Sequence, residues 1–471
     1  MRNRRRRIFA YGNIMGGSGR TFYVDFTAGA DINSGLSPSS PWKTITKINT
    51  FATYQPGDTI LLKRGETWTG IQLTIPTNNL TFGAYGIGAK PIIDGNDVVE
   101  CIQANTKHHL RFSNINCLNG VNSGLQFINT THDIIVIDCD SDGHGNDGVI
   151  FLDGCYNGYV SGGEFKNGWQ SIAGFNVSGI EIADNCHDII IDGAICHDMV
   201  GTVGVYATGV GITIHSHGGD IFPWNITIRN CEFYNNSGYG IQILKQDNTV
   251  DALRNIRVEN CYSHNNYEGL HLYKAAAATA YPNGIVIALC HFELNTLRAL
   301  YMQGDNIEYH NNVSEGGGQI VECKILKFYN NTLYYPNGGG TYPIYFTAVR
   351  TDQIYIKNNI VYTQVVGGMC IGVDVSIVGI VDIDYNLYFL LLETTAALRW
   401  HWRGTAYNWA NWLINSAQDV NSPLADQNPL FVNPAVNDFT LQAGSPAINA
   451  GVDVGLPFLG IAPDCGAFEK V

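Results

Sequence analysis

Short stretches in which apolar and polar residues alternate run through most of the chain, and turns rich in glycine and asparagine separate them. One kind of stretch has the form Ile-x-Ile and leads into a fixed position, the slot, which is occupied in successive copies by Ile115, Cys139, Gly163, Ala194, Cys231, Cys261, Cys290, Asn312, Asn331 and Asn359. A second kind begins with glycine or alanine and continues apolar-polar-apolar, in the copies that start at Gly124, Gly148, Gly179, Gly211, Gly240, Gly269 and Ala299. Alternation with period two indicates β-strands, and slots spaced roughly 20 to 37 residues apart indicate a solenoid repeat.

The repeat predicts an all-β fold, a parallel β-helix in which equivalent residues of successive coils stack on one another. Asparagines stacked in the slot can bond to each other through their amides, and cysteine can act as a small apolar filler. We therefore expect the slot cysteines Cys139, Cys231, Cys261 and Cys290 to be free thiols. The pattern resembles the pectate-lyase-like superfamily of bacterial or phage polysaccharide-active proteins, and this resemblance implies that the β-helix is right-handed.

Both ends of the chain resemble the ends of bacterial secreted β-helix proteins. The N-terminal segment Tyr23–Ile45 has the strand, the Asp/Asn/Gly-rich turn and the Pro-Trp-x-Thr stretch of such a cap, and Asp438–Gly451 is similar to the matching terminator. Tyr407–Leu413 looks like a short amphipathic helix. The predicted organisation is a disordered basic tail at 1–20, an N-terminal cap with the first coils at 21–100, a parallel β-helix at 101–390, and a C-terminal capping segment with a short helix at 391–471.

Composition and charge narrow the range of partners. The formal net charge of −14 argues against nucleic acid as a partner. No apolar stretch is long enough to span a bilayer, and the basic start lacks the apolar core of a classical signal peptide. We expect an extracellular or virion-associated protein, monomeric, or trimeric if it is a phage tail-spike.

Side chains that occupy one position of successive strands should form columns with a spacing of about 4.8 Å. A mid-strand column, read as outward-facing, consists of Gln126, Ile150, Glu181, Thr213, Gln242, His271, Tyr301, Val321 and Tyr345. A strand-end column, also read as outward-facing, consists of Asn129, Asp153, Asp184, Ser216, Lys245, Lys274, Gly304 and Lys324. Just before the strands stand Asp147, Glu268 and Arg298.

These columns suggest a polysaccharide lyase acting at a uronate. Lys245 and Lys274 would lie on neighbouring coils, where like charges lower the pKa of each other and favour a general base. The residues predicted to be catalytic are Lys245, Lys274, His271, Glu181 and Arg298. The residues predicted to bind substrate are Tyr273, Tyr301, Glu268 and His215. Calcium, as in the calcium-and-lysine lyases that the pattern resembles, would be held by Asp153, Glu181 and Asp184.

The sequence leaves other interpretations open. A glycoside hydrolase would use paired carboxylates such as Asp153 and Asp184, and a C5-epimerase would share the site of a lyase. His215 and His217, in an enlarged turn that extends to Asp220, could serve as metal ligands. A tail-spike or other glycan-binding module could use the same solenoid without catalysis.

Overall fold

The computed structural model describes residues 19–169, 176–201, 209–217, 221–246, 253–275, 278, 280–336, 343–347, 353–367, 369–392, 396–423 and 425–470. Most of the predicted disordered tail at 1–20, and Asp220 of the predicted turn, lie outside these residues. The fold divides into two compact units, Met1–Gly238 (unit 1) and Tyr239–Val471 (unit 2). In each unit the strands form three parallel sheets that the chain visits in turn, so both units are right-handed parallel β-helix.

Unit 1 begins with a short cap and continues as regular coils. The first-sheet strands are Thr21–Val24, Thr59–Lys63, Leu80–Tyr85, His108–Ser113, His132–Ile137, Tyr156–Ser161, His187–Asp192 and Trp224–Arg229. The second-sheet strands are Leu73–Thr74, Ile102–Asn105, Ser123–Ile128, Asp147–Phe151, Val177–Ala183 and Gly209–His215. The third-sheet strands are Thr67–Thr69, Ile92–Asp94, Asn116–Leu118, Asp140–Asp142, Glu164–Lys166, Ile195–His197 and Glu232–Tyr234. Helix α1 spans Ile45–Thr50, and the Thr44 hydroxyl caps it by accepting from the Lys47 amide.

Unit 2 has the same three sheets and ends in a different kind of segment. The first-sheet strands are Arg254–Glu259, Asn283–Ala288, Asp305–His310, Ile325–Tyr329, Gln353–Lys357 and Ile380–Asp384. The second-sheet strands are Tyr239–Lys245, Glu268–Lys274, Arg298–Met302, Gly318–Val321, Tyr345–Thr347, Ile371–Val373, Trp400–Trp402 and the antiparallel Thr405–Tyr407. The third-sheet strands are Tyr262–His264, His291–Glu293, Val313–Glu315, Thr332–Tyr335, Ile360–Thr363 and Leu387–Leu390. Helix α2 (Trp409–Ser416), the 3-10 turn Pro434–Val436 and the hairpin Phe431–Asn433 with Asp438–Leu441 complete it.

The alternating pattern sends every second side chain into the core, as predicted. In unit 1 the rings of Phe127 and Phe151 stack on successive coils with centroids 5.2 Å apart, and both side chains are fully buried. In unit 2 the rings of Tyr309 and Phe328 stack in the same way at 4.9 Å. The coils are therefore held by continuous internal ladders of apolar side chains, which is the main favourable term for this fold.

The slot proves to be one structural position, which confirms the alignment of the repeats. In unit 1 the peptide carbonyls of Gly163 and Ala194 accept from the residues that follow the next slot along. Glycine is required at 163 because its φ is +91° and an added Cβ would lie 2.2 Å from the Cys139 carbonyl oxygen. Residues just before the slot turn the chain in the left-handed region, such as Asn330 with φ 53° and Asn358 with φ 60°. Asparagine adopts that conformation at lower cost than most residues, which explains the Asn-Asn pairs of the sequence.

The four slot cysteines are free and buried, as predicted, and so are the other eight cysteines of the chain. Burial raises the pKa of the Cys139 thiol to about 12, which keeps it in its unreactive protonated form.

We expect the native protein to react negligibly with a thiol reagent such as DTNB over minutes. In the guanidinium-denatured chain the same reagent should react with all 12 thiols. Fewer than 12 thiols in denaturant without reductant would contradict the absence of disulfides.

The C-terminal segment of unit 2 packs in two places. Helix α2, predicted at Tyr407–Leu413, places the indole of Trp412 where it donates to the carboxylate of Asp419. The same carboxylate accepts from Asn386, which continues the slot ladder one coil beyond Asn359. The hairpin at Phe431–Leu441 instead lies along the third sheet, where Phe439 contacts Tyr334. Among the described residues, neither helix has the length or the apolar run needed to cross a lipid bilayer.

Candidate functional site

The mid-strand column is correct through most of its length and wrong at one position. In unit 2, Gln242 pairs with His271 and His271 pairs with Tyr301, as the alignment predicted. Tyr301, however, pairs with Gln319 and not with Val321. A shift of two residues leaves the same face of the strand outward, so alternation alone could not detect the error.

Around His271 lies a group of polar side chains, the Glu268 cluster, which comprises Tyr239, Glu268, His271, Arg298 and Tyr301. Nδ1 of His271 donates to Oε2 of Glu268 at 2.8 Å. Arg298 donates to the other oxygen of Glu268 through Nε at 2.9 Å and forms an ion pair with it at 2.7 Å. Burial alone would raise the pKa of Glu268, but the bond from His271 and the charge of Arg298 outweigh burial and hold the pKa below its usual value. Glu268 is thus an ionised, buried anchor for one imidazole and one guanidinium.

Aromatic rings fix the orientation of the His271 imidazole. Tyr239 stacks on one side at 4.2 Å between centroids, and Tyr301 stacks on the other at 5.2 Å. The guanidinium of Arg298 lies over the ring of Tyr301 at 4.5 Å. Burial raises the pKa of Tyr239 and of Tyr301 to about 12, so both hydroxyls are protonated at neutral pH. Tyr273, also predicted to contact substrate, has its ring 5.4 Å from that of His271.

The two lysines occupy neighbouring coils as predicted, since Lys245 pairs with Lys274 in the register. The prediction that the two columns face outward is wrong at Lys245, Ser216 and Thr213, which have no exposed surface. Lys245 and Lys274 are the last residues of their strands, where alternation with period two ends and no longer determines which side chain is exposed. The ammonium of Lys274 donates to the carbonyls of Ala275 and Ala278. A catalytic role for either lysine stays a prediction.

Unit 1 contains a second group, the imidazole–carboxylate cluster, which comprises Asp147, Glu181, Asp184, His215 and His217. The register places Glu181 beside Thr213, so that His215, two residues further along the same strand face, reaches back toward Glu181. Oε1 of Glu181 lies 3.3 Å from Nε2 of His215 and 3.4 Å from Nε2 of His217. Asp184 receives the His217 backbone amide and its Nδ1, each at 2.7 Å.

Charges within this cluster move the pKa values of its members in different directions. Burial and then the charge of Glu181 raise the pKa of Asp147 well above its usual value. Burial would also raise the pKa of Glu181 and of Asp184, but the neighbouring imidazoles outweigh burial and lower both values. The hydrogen bond to Asp184 raises the pKa of His217. The cluster therefore favours the ionised forms of Glu181 and Asp184 and the protonated form of Asp147.

Calcium was predicted at Asp153, Glu181 and Asp184, and the surroundings of these carboxylates fit calcium poorly. Calcium takes six to eight oxygen ligands, whereas Glu181 and Asp184 are directed at imidazole nitrogens. Asp153 occupies the position on the previous coil that corresponds to Asp184, and its side chain is exposed. Calcium binding stays a prediction.

The raised pKa of Asp147 predicts how the effect of this residue on stability changes with pH. Because its folded pKa lies above the unfolded value, the contribution of Asp147 to stability is most favourable at low pH and declines as pH rises from about 4. Asp147→Asn removes this titration, so its melting temperature should exceed that of the wild type by a few degrees at pH 8 and not at pH 4. Thermal unfolding at several pH values measures this difference, and the exposed Asp97→Asn serves as the matched control. A difference between Asp147→Asn and wild type that does not change with pH would contradict it.

Three residues that the structure places at these sites were given little or no role on the basis of the sequence. His217 follows the strand end, where no periodicity fixes direction, although the spacing of two from His215 was a usable signal. Asp147 was noted as preceding a strand but was given no role. Gln319, which accepts from Arg298, was hidden by the register error.

Comparison with known proteins supports the fold. A family model described as a right handed beta helix region matches residues 178–376. A lacto-N-biosidase of Bifidobacterium longum subsp. longum is 38% identical over 90 residues, which are 17% of this chain and only 6% of that relative's length.

Solved structures are similar at low sequence identity. The protein XylC in complex with xylose aligns over 78% of this chain and 83% of its own, with a TM-score of 0.50 and 10% identity. A pectate lyase aligns over 97% of this chain and 98% of its own, with a TM-score of 0.42 and 16% identity. A lacto-N-biosidase from Eubacterium ramulus aligns over 80% and 67%, with a TM-score of 0.41 and 14% identity. The parallel coils and the matched family model together identify the chain as a right-handed parallel β-helix protein.

Proposed function

We propose that the protein is a carbohydrate-active enzyme that cleaves a uronate-containing polysaccharide by β-elimination, with the Glu268 cluster as its reaction centre. The observation that carries the proposal is the 2.8 Å hydrogen bond from Nδ1 of His271 to Glu268. That bond places the proton of the neutral imidazole on Nδ1 and leaves Nε2 as the basic nitrogen. The side chain of His271 is 13% exposed on an outward column, and we infer that Nε2 is the atom that meets a bound glycan.

In the proposed step, Nε2 of His271 takes the proton from C5 of the uronate. The electron pair released forms the C4–C5 double bond, and the C4–O bond to the next sugar breaks. Tyr301 lies on the adjacent strand and is protonated, so its hydroxyl can give a proton to the departing oxygen.

The charge that develops on the uronate carboxylate needs a cation. Arg298 binds Glu268 through Nε and one terminal nitrogen, and it binds Gln319 through the other terminal nitrogen at 2.6 Å. A guanidinium has five N–H groups, so Arg298 keeps donors for a substrate carboxylate after these bonds. Glu268 and Gln319 thus hold Arg298 in place before substrate binds, which avoids reorganisation during the reaction.

A lyase suits this cluster better than a hydrolase does. Glycoside hydrolysis generally uses two carboxyl groups on either side of the scissile bond. Glu268 is the carboxylate of this cluster, and both of its oxygens are bound by His271 and Arg298. The match to a lacto-N-biosidase agrees with a glycan as the substrate class. An extracellular or virion-associated location is part of the same proposal.

The test is a screen of the purified chain against pectate, rhamnogalacturonan, alginate, glucuronan and glycosaminoglycans, with and without EDTA. The readouts are ultraviolet absorbance of the unsaturated uronate and release of reducing ends. Absorbance that persists in EDTA on at least one glycan is the expected result. Absorbance that EDTA abolishes would contradict chemistry by His271 and Arg298 alone and would favour metal-assisted elimination.

Two other outcomes would replace the proposal. Reducing ends without absorbance would indicate a glycoside hydrolase, for which the carboxylates expected from the sequence, Asp153, Glu181 and Asp184, would be tested next. Glycan binding without turnover would indicate a non-catalytic module, such as a tail-spike.

A further inference from the structure

We propose that the imidazole–carboxylate cluster is a binding site for a divalent transition metal ion of the zinc type, held by Glu181, His215 and His217. This inference does not rest on the function proposed above, which uses other residues. It replaces the calcium expected from the sequence by an ion that accepts nitrogen ligands.

The distances between the three ligand atoms suit such an ion. Oε1 of Glu181 lies 3.3 Å from Nε2 of His215 and 3.4 Å from Nε2 of His217, and one ligand atom from each residue lies within 4.8 Å of the others. Zinc binds imidazole nitrogen and carboxylate oxygen at about 2.0–2.2 Å in tetrahedral geometry, which separates neighbouring ligand atoms by about 3.3 Å. An ion therefore fits between these atoms with small side-chain movements.

Asp184 orients one of the ligands. Its carboxylate accepts Nδ1 of His217 at 2.7 Å and the His217 backbone amide at 2.7 Å. With Nδ1 bound to Asp184, His217 presents Nε2 toward Oε1 of Glu181, 3.4 Å away. A metal-bound imidazole whose other nitrogen donates to a carboxylate is a frequent arrangement in metal sites.

The burial of Glu181 points to a ligand independently of these distances. Its side chain is 6% exposed, and Oε1 accepts no hydrogen bond from any residue that the structure describes. A buried carboxylate oxygen that accepts no hydrogen bond is costly unless a cation or a donor satisfies it. The side chain of His217 is 32% exposed, which leaves one side of the site open to solvent and to an additional ligand.

The chemistry of the donors selects the class of metal. Imidazole nitrogen suits zinc, copper, nickel and iron, whereas calcium and magnesium favour oxygen ligands. Two imidazoles and one carboxylate with an open position match the donor sets of catalytic zinc sites.

The experiment uses the full chain with any affinity tag removed, treated with EDTA and then dialysed. Co²⁺ is added while the visible absorption of the bound ion is followed, and Zn²⁺ is then titrated in competition. We expect one equivalent of Co²⁺ to bind and to be displaced by Zn²⁺ but not by millimolar Ca²⁺. Glu181→Gln and His217→Ala should weaken binding at least 100-fold, and Asp184→Asn should weaken it about 10- to 100-fold because it acts through His217.

The matched control is His187→Ala, which removes another histidine bonded to an aspartate in unit 1, at 2.9 Å from Asp188. This variant should bind Co²⁺ like the wild type. Thermal melting and far-ultraviolet circular dichroism identify any variant that fails to fold, and the near-isosteric Glu181→Gln then decides the test. Saturable binding that Glu181→Gln leaves unchanged, or equal affinity for Ca²⁺, would overturn the proposal. So would the absence of saturable Co²⁺ and Zn²⁺ binding to the wild type. None of these readouts depends on activity toward a glycan.

Discussion

Replacing His271 with alanine should lower kcat on the responsive glycan by about 10²- to 10⁴-fold while changing KM only a few-fold. The loss falls on kcat because Nε2 acts on the C5 proton in the transition state and contributes little to binding the ground state. Glu268→Gln should also lower kcat, by at least about 10-fold, because an amide can donate to Nδ1 and then favours the tautomer with the proton on Nε2. Initial rates of ultraviolet absorbance across substrate concentrations measure both effects.

The matched control is His264→Ala, in the third sheet of unit 2, where the imidazole stacks on Tyr262 and lies outside the Glu268 cluster. It should leave kcat within about two-fold of the wild type. If His271→Ala kept near-normal turnover while Lys274→Ala abolished it, the general base would be the lysine expected from the sequence. The Lys274 ammonium bonds to the carbonyls of Ala275 and Ala278, so its removal must be accompanied by a check of the fold.

The fold could be predicted from the sequence because its signal is repeated in every coil. The slot holds different residue types in different coils, such as Cys139, Gly163 and Asn331. Its spacing from the Ile-x-Ile strand is nevertheless constant. Each copy adds independent support for the same register. The end of the slot ladder was not found, since Tyr385 stands in the left-handed turn before Asn386, where the two preceding coils have Asn330 and Asn358.

The sites were predicted only where a side chain lies in the middle of a strand. His271 beside Tyr301 follows from period two, and so does Glu181 beside Thr213. Lys245 was misplaced because it is the last residue of its strand, where alternation no longer determines exposure. His217 approaches Glu181 from beyond a strand end, where the turn determines direction and no periodic signal exists.

A large effect on stability is expected at the asparagine ladder of unit 2. Oδ1 of Asn331 accepts from the backbone amide and the side-chain amide of Asn312, at 3.0 and 3.2 Å. Its Nδ2 donates to the Tyr309 carbonyl and to Oδ1 of Asn359, each at 3.0 Å. All these groups are fully or almost fully buried, so water cannot replace a missing partner in the native state.

Asn331→Ala should therefore lower the free energy of unfolding by about 3–5 kcal/mol, since each buried group left unsatisfied costs about 1–3 kcal/mol. Urea denaturation followed by circular dichroism measures the change. Asn411→Ala, an exposed asparagine in helix α2, is the matched control and should change stability by less than about 0.5 kcal/mol.

The ladder also predicts that neighbouring substitutions are not additive. Asn312→Ala removes the side-chain amide that donates to Oδ1 of Asn331. In the double variant this hydrogen bond is already absent, so its loss is not counted a second time when Asn331 is replaced. The double variant should accordingly be less destabilised than the sum of the two single variants, by about 1 kcal/mol or more. Additive effects would mean that the two amides contribute separately, as space-filling residues, and not as a hydrogen-bonded stack. That result would remove the physical reason for asparagine in the slot and would make cysteine or alanine equally suitable there.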